Sequence, residues 1–273
     1  MSEQSAPTPP APTPPAPTPP AAPALPASLA AAWGLRERPT KGPKRTLSLE
    51  RIVEAAVRVA AEEGLPAVSI GRVAKELGSS PMSLYRYFAT KDELLALMVD
   101  AAYGRPVPPP AVVDGAAEGW RAGLARWATS ARARLHANPW ALSIPVSGPP
   151  MTPNQMYWLE DGLVSLRGTG LAEQEKLSVI LLISGYVRND AKLAADMGAG
   201  IAAAVAAGAT VQEALDSYGA TLALLIDPQR LPNVHAAITA GALSDDDALE
   251  GEFTFGLDRI LDGVEVLIRQ RSA

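Results

Sequence analysis

The sequence predicts an all-α protein, and two observations lead to this fold class. From Leu47 onward apolar residues recur at the i, i+3, i+4 spacing of amphipathic helices, and serine or threonine caps and glycine stops separate the segments. No stretch alternates polar and apolar residues as a half-buried strand does. We therefore expect helices joined by short breaks, in two domains that follow a terminal tail.

Residues 1–34 form a proline-rich tail. Twelve of the 26 prolines lie in the first 40 residues, and positions 6–20 are three copies of Ala-Pro-Thr-Pro-Pro. Because proline removes amide donors and large apolar residues are lacking, we predict disorder with polyproline II character. A solubilising spacer and a ligand for proline-binding modules both remain open as functions. The tail lacks the basic start and apolar run of a signal peptide, so a cytoplasmic location is expected.

Four helices are predicted in residues 35–105, the first domain. Each begins at a capping residue, and glycine or a loss of periodicity ends it. The first helix is expected to start at Ser48 and end at Gly64, and the second to start at Ser69 and end at Gly78. The third is expected to start at Ser80 and Pro81 and end at Phe88, and the fourth to start at a Thr90–Glu93 capping box and end at Tyr103. The second and third helices are too short to be stable alone, so they must pack against the first and fourth.

Residues 106–273 are predicted to form a larger helical domain. The prolines at 106, 108, 109 and 110 mark its boundary with the first domain. The expected helices are a stripe over Trp120–Leu135 ended by Pro139, a segment begun by Thr152 and Pro153, one over about 173–197, one over 211–226 begun by a Thr210–Glu213 capping box, and a last one from Phe253 to Ile268. The apolar stripe of the last helix must be buried against another surface.

The formal net charge of −5 conceals a reversal along the chain. Residues 35–91 carry 11 Lys and Arg against 6 Asp and Glu, whereas residues 92–273 carry 13 against 22. A basic module is therefore joined to an acidic remainder, which locates a nucleic-acid site in the first domain. The absence of cysteine excludes a thiolate metal site, and the presence of only two histidines makes an imidazole metal site improbable. We predict neither a metal nor a cofactor.

Two short helices joined by a glycine turn, between two longer helices, are the plan of a helix-turn-helix unit. The second helix of such a unit enters the major groove by its N-terminal end, and cations around it hold phosphates. A basic arm just upstream is expected to add salt-sensitive affinity. The residues predicted to bind DNA are Arg36, Arg38, Lys41, Lys44, Arg45, Ser69, Arg72, Ser79, Ser80, Pro81, Met82, Ser83, Tyr85, Arg86, Tyr87 and Lys91.

Short motifs in residues 47–103 follow one another in a specific order and spacing. They are Leu47-Ser48, Ile52-Val53-Glu54-Ala55-Ala56, Glu62-Glu63-Gly64-Leu65, Ser69-Ile70, Val73-Ala74, Leu77-Gly78, Met82-Ser83-Leu84-Tyr85-Arg86-Tyr87-Phe88 and Lys91-Asp92-Glu93-Leu94-Leu95. This ordered set resembles the N-terminal domain of the tetracycline-repressor (TetR) family of bacterial transcriptional regulators. The resemblance implies a recognition helix from Ser80 to Phe88, phosphate contacts by Tyr85 and Lys91, and a homodimer on a palindromic operator of double-stranded DNA that a small molecule releases.

Weaker similarity to the family's tetracycline-repressor-like C-terminal domain continues downstream. It rests on His136-Ala137-Asn138-Pro139-Trp140, Pro145-Val146-Ser147, Gly162-Leu163 and the run from Phe253 to Gly263. In that subclass the last helix belongs to a dimer bundle, which implies dimer contacts by Phe253, Leu257, Ile260, Leu261, Val264 and Ile268. The founding member holds its drug through a magnesium site that uses histidine. Nothing matches that site around residues 145–147, so we predict neither tetracycline nor magnesium.

Aromatic residues are concentrated in the second domain, where five of the 14 lie within 39 residues. They either form ordinary core or line an apolar cavity for an effector. The predicted ligand-binding residues are Trp120, Trp127, Trp140, Tyr157, Trp158, Leu181, Tyr186 and Asn189. Walls of this kind suit a small, largely apolar organic effector.

Three functions remain open from the sequence. The first is a ligand-responsive transcriptional regulator, for which we favour a repressor. The second is a helical small-molecule carrier or enzyme without operator binding, although no G-x-S-x-G, P-loop or H-E-x-x-H motif is present and an enzyme is not expected. The third is an interaction protein that acts through its proline-rich tail.

Overall fold

A computed structural model describes residues 25–35, 47–108, 118–146, 148–211, 213, 221–222, 224–240 and 248–272. All regular structure in these ranges is helical, which confirms the all-α fold class. The helices are α1 (Ala27–Ala32), α2 (Leu49–Glu63), α3 (Ile70–Glu76), α4 (Pro81–Leu84), α5 (Lys91–Tyr103), α6 (Trp120–Ala137), α7 (Pro153–Ser165), α8 (Glu173–Ala206), α9 (Pro232–Thr239) and α10 (Ala248–Ser272), with 3-10 helices at Leu65–Ala67 and Pro139–Ser143. None of the helices within these ranges combines the length and apolar character needed to cross a membrane.

The part of the predicted tail that the structure describes is partly helical. Residues 27–32 form α1, which packs on α2 and α5. The Ser28 hydroxyl is buried and donates to Glu93 Oε2 at 2.5 Å, and Trp33 Nε1 donates to the Met151 carbonyl at 2.8 Å. The prediction of disorder was wrong here, because the prolines stop at Pro26 and an alanine-rich run that favours helix follows. Residues 1–24, with the proline repeats, lie outside the described part.

Helices α2 to α5 enclose the first core, and three of their four predicted caps are present; Ser80 stands at the N-cap position of α4 but makes no side-chain capping bond. The hydroxyl oxygens of Ser48, Ser69 and Thr90 accept the backbone N–H three residues ahead at 3.3, 3.1 and 3.2 Å. The largest fully buried side chains here are Ile52, Leu84, Phe88, Leu94 and Met98.

The third predicted helix is shorter than expected. It was predicted to run to Phe88, but α4 ends at Leu84 and a turn follows, in which Tyr87 N donates to Leu84 O at 2.8 Å. Leu84 and Phe88 are both buried, as their spacing predicted. A turn can therefore satisfy the same burial pattern as a continued helix.

Helices α6, α7, α8 and α10 surround a second core, which includes Leu124, Trp127, Trp158, Ile183 and Phe253. Helix α8 is longer than the predicted 173–197 because the alanine-rich residues after it continue the helix to Ala206. The Thr210–Glu213 capping box is present, with Glu213 N donating to Thr210 Oγ1 at 3.1 Å and Thr210 N to Glu213 Oε2 at 2.7 Å. Most of the helix predicted after it lies outside the described residues.

The two domains share α5. At its C-terminal half, Asp100 Oδ1 accepts from Asn154 N at 2.8 Å and Gln155 N at 3.1 Å, the first turn of α7. Trp158 Nε1 of the same helix donates to Gly104 O at 2.9 Å. From the other side, the 3-10 helix Pro139–Ser143 places Trp140 in the first core. Helix α5 is therefore in contact with elements of both domains.

Candidate DNA interface and effector domain

The turn between α3 and α4 sets the angle at which α4 leaves the domain. Gly78 has φ +60°, a left-handed conformation that glycine adopts without a side-chain penalty. Ser79 N then donates to Ala74 O at 2.9 Å, which closes the end of α3. Pro81 occupies the first position of α4, where no amide donor is needed. This geometry is that of a helix-turn-helix unit.

The outer side of α4, the turn after it and the start of α5 carry seven of the sixteen predicted DNA contacts, and six of these are exposed to solvent. Met82 is 76% exposed and Tyr85 is 51% exposed, and Arg86 and Lys91 are also exposed. The remaining members of this surface are Ser80, Pro81 and Ser83; the Ser80 and Ser83 hydroxyls are 2.9 Å apart and hydrogen-bonded. We call Ser80, Pro81, Met82, Ser83, Tyr85, Arg86 and Lys91 the recognition surface.

Three other predicted contacts have structural roles. Ser69 caps α3, and the Tyr87 hydroxyl donates to the Leu47 carbonyl at 2.6 Å. The Arg72 guanidinium forms ion pairs with Glu63 at 2.5 Å and Glu76 at 2.8 Å. Hydrogen bonds to the Glu63 and Glu76 carboxylates raise the pKa of Arg72. The hydrogen bond from Arg72 lowers the pKa of Glu76. These side chains position α3 and α4, and Arg72 would have to leave two carboxylates to bind a phosphate.

Six predicted DNA contacts remain: Ser79, which the structure describes, and the five residues of the basic arm, which it does not. Ser79 is half-buried in the turn itself. The arm residues lie outside the described part of the chain: Arg36, Arg38, Lys41, Lys44 and Arg45.

The structure does not bring the eight predicted ligand-binding residues together. Trp127 and Trp158 are core residues in edge contact, with ring centroids 6.4 Å apart, and Trp127 Nε1 donates to the Trp158 carbonyl at 2.8 Å. Tyr103 extends this cluster, 6.0 Å from Trp158, and its burial raises the pKa of its hydroxyl. Both indole N–H groups are bound within the protein, and Tyr103 is partly buried against the same core, so this trio packs as core.

Of four other predicted ligand residues, three lie outside the second core and Tyr186 is partly buried against it. Leu181 is 74% exposed and Asn189 is exposed, both on the outer side of α8. Tyr157 lies under the Arg105 guanidinium, 3.5 Å from the ring centroid. The Tyr186 ring stacks on Phe253 at 5.6 Å, and its hydroxyl donates to the Phe253 carbonyl at 3.0 Å. The hydroxyl of Tyr186 therefore anchors α10.

The last two predicted ligand residues line separate grooves. Trp120 lines a shallow groove of about 490 Å³ between α6 and α10. Trp140 lines a groove of about 690 Å³ between the two domains, with Leu65 and Lys91 from the first domain and Lys192 from α8. The Trp140 indole N–H is buried and has no hydrogen-bond acceptor among the described residues. No local sequence pattern indicates this junction groove, because its walls come from four distant segments.

One charged pair in the second domain joins Arg132 of α6 to Asp190 of α8. Arg132 Nε donates to Asp190 Oδ2 at 2.6 Å, and its guanidinium lies 4.4 Å from the centroid of the Phe253 ring. The position of Arg132 between the buried residues Ala128 and Leu135 was the available signal.

The predicted dimer stripe of α10 is used inside the protomer. Phe253, Leu257, Leu261 and Val264 are buried in the second core. Ile260 and Ile268 are partly buried against the same core. The stripe therefore docks α10 onto its own domain, and the assignment of these six residues to a dimer surface stays a prediction.

A different apolar surface is exposed on α8. At intervals of four residues this helix presents a row that we call the α8 ridge: Leu177, Leu181, Gly185, Asn189, Leu193 and Met197. The neighbouring α10 exposes Phe255 and Val266. Apolar rows of this length on adjacent helices are typical of helix–helix interfaces.

Comparison with known proteins now identifies the family. Residues 52–98 match the family model described as bacterial regulatory proteins, tetR family, and residues 114–268 match that of the tetracyclin repressor-like C-terminal domain. The chain belongs to the TetR family. Members of this family are transcriptional repressors with an N-terminal helix-turn-helix and a ligand-binding C-terminal domain, and they are not enzymes.

Relatives of this TetR-family chain cover most of its length. The transcriptional repressor DrrR1 of Streptomyces coeruleorubidus is 38% identical over 244 residues, which are 89% of this chain and 87% of DrrR1. The repressor Rv1353c of Mycobacterium tuberculosis is 26% identical over 88% of this chain and 87% of its own. Among solved structures, ActR of Streptomyces coelicolor in complex with actinorhodin is 25% identical with a TM-score of 0.65, covering 83% of this chain and 99% of ActR.

Proposed function

We propose that this TetR-family repressor binds a palindromic operator as a homodimer and leaves it when a small organic effector binds. The observation that carries the proposal is the recognition surface. Its long side chains, in α4, in the turn after it and at the start of α5, are exposed to solvent and do not pack in the core. Two copies of this surface, one helical turn of DNA apart, would meet adjacent major grooves on one side of the duplex. The exposed α8 ridge supplies a surface for joining the two copies.

Within the recognition surface we assign two separable roles. Arg86 follows α4 in the turn and is exposed, so its guanidinium can contact base edges or the DNA backbone. Lys91 is the first residue of α5, where its ammonium and the helix N-terminus both favour a phosphate. Arg86 thus contributes to affinity at the groove, and Lys91 contributes to salt-dependent affinity.

A mobility-shift titration with the DNA upstream of the protein's own gene tests this assignment. Arg86→Ala is expected to cost about 1–3 kcal/mol of binding free energy. Lys91→Ala is expected to reduce the slope of log affinity against log salt by about one, without a change in sequence preference.

Arg167→Ala is the matched control for both variants, because Arg167 is exposed just after α7, at the end remote from α5. It should bind as the unchanged protein does. If Arg86→Ala and Arg167→Ala bind equally well, the recognition surface is not the DNA interface. Ligand binding without any DNA complex would favour the alternative, a helical small-molecule-binding protein without operator affinity.

The effector we propose is a small, largely apolar organic molecule that binds in the second domain or at its junction with the first. The junction groove supports this, because about 690 Å³ is enough for a drug-sized molecule and its walls come from both domains. The ActR structure holds actinorhodin, which shows that a similar fold takes an organic ligand. A ligand that favours a wider spacing of the two DNA-binding domains would lower operator affinity by its differential binding.

A further inference from the structure

Met82 is the most exposed large apolar side chain among the described residues of the first domain. It is 76% exposed, whereas Leu84 and Phe88, on the other side of the same segment, are fully buried. Met82 therefore contributes nothing to the core. It stands at the second position of α4, the end that enters the groove in a helix-turn-helix complex.

The neighbours of Met82 offer few groups for reading bases by hydrogen bonds. Ser80 and Ser83 bond to each other at 2.9 Å, and Pro81 has neither an amide N–H nor a polar side chain. The N-terminal half of α4 lacks the carboxamides and guanidinium groups that form paired hydrogen bonds with adenine and guanine. All four of these residues were predicted to bind DNA, and the apolar pair Pro81 and Met82 is exposed at the start of α4.

The major groove of B-DNA displays one apolar group, the C5-methyl of thymine. A flexible thioether side chain that stands free of the core can pack on such a methyl without leaving a polar atom unpaired. We propose that Met82 is a specificity-determining residue that reads the methyl group of one thymine in each operator half-site. This inference rests on the proposed binding of an operator through α4.

The test is a set of operators in which each thymine is replaced, one position at a time in both half-sites, by deoxyuridine. This change removes the methyl group and leaves every hydrogen-bonding group of the base in place. At one position the replacement is expected to lower affinity about three- to fivefold per half-site, the effect of one buried methyl group. At the other positions the affinity should stay unchanged.

The variant Met82→Ala, measured on the thymine and deoxyuridine operators, completes a double-mutant cycle between the side chain and the methyl group. It should weaken binding to the thymine operator and make binding indifferent to deoxyuridine at the sensitive position. Arg86→Ala is the control for general weakening: it should lower affinity for both operators and keep the difference between them. Because Met82 is exposed, its replacement should leave the unfolding transition unchanged, which thermal denaturation checks.

Two results would overturn the proposal while leaving operator binding intact. One is a complex that is indifferent to every thymine methyl, and the other is a deoxyuridine effect that persists in Met82→Ala. If the unmodified upstream DNA forms no complex at all, operator binding itself fails, and the inference about Met82 fails with it.

Discussion

At the scale of single residues, Gly123 sets how closely α6 and α7 approach. A Cβ atom at this position would lie 2.9 Å from the Ser165 Cβ and 2.7 Å from its Oγ. The Cβ of Ser165 is fixed to the backbone, so rotation of its side chain cannot relieve the contact. The two helix backbones would have to separate, in a core that is otherwise closely packed.

We expect Gly123→Ala to lower the free energy of unfolding by about 1–3 kcal/mol because of this overpacking. Gly198→Ala is the matched control: it lies inside α8 with nothing within 4 Å of the added Cβ. It should raise stability by up to about 1 kcal/mol, since alanine favours a helix over glycine. Urea unfolding midpoints measure both. Equal effects of the two variants would contradict the close approach.

Three of the predicted helix caps depend only on local interactions and are confirmed, whereas Ser80 and Thr152 make no side-chain capping bond. The caps by Ser48, Ser69 and Thr90 need only a partner three residues away, and all three are present. The role of Gly123 was not predictable, because Ser165 is 42 positions further along and only the packing of two helices brings them together.

At the scale of elements, α7 is capped by a residue of another helix. Thr152 stands at the N-cap position as predicted, yet its hydroxyl is buried without a partner among the described residues. The Asp100 carboxylate of α5 instead accepts the N–H groups of Asn154 and Gln155. The sequence located the start of α7 correctly but gave no signal that the donors of its first turn bond to α5.

This arrangement predicts opposite outcomes for two substitutions. Asp100→Ala should lower the free energy of unfolding by about 1–2 kcal/mol, because it leaves two amide donors of α7 without their acceptor. Thr152→Val should leave stability unchanged or raise it, since it removes a buried hydroxyl that makes no bond. Thermal unfolding of both variants measures this. If Thr152→Val is the more damaging change, Thr152 and not Asp100 caps the helix.

At the scale of the whole molecule, the α8 ridge is an exposed apolar surface on which the proposed second copy would pack. The sequence predicted that the stripe of α10 would need a partner, and the partner is the chain's own second core. Periodicity alone cannot distinguish burial within a protomer from burial between two, because both present the same pattern of apolar residues. The all-α fold and the helix-turn-helix were predictable from local patterns, whereas a candidate dimer face could be proposed only from the packed structure.

Leu181→Arg is expected to convert a dimer into monomers, since it places a charge at the centre of the α8 ridge where apolar side chains would meet. Operator affinity should fall with it, because two linked recognition surfaces bind DNA more tightly than one. Sedimentation velocity gives the oligomeric state, and a mobility shift gives the affinity.

Val107→Arg is the matched control, because Val107 is 63% exposed in the segment after α5 and away from the ridge. It should remain dimeric and bind DNA normally. A Leu181→Arg protein that sediments as a dimer would show that the copies meet elsewhere.

The placement of Trp140 makes the domain junction optically visible. Its indole lies in the core of the first domain, although the 3-10 helix that carries it belongs to the second. Indole emission responds to the polarity of its surroundings, so a separation of the domains that admits water to Trp140 would shift its fluorescence to longer wavelength. In a chain whose other four tryptophans are replaced by phenylalanine, one intrinsic fluorophore would report, without any label, when the two domains part.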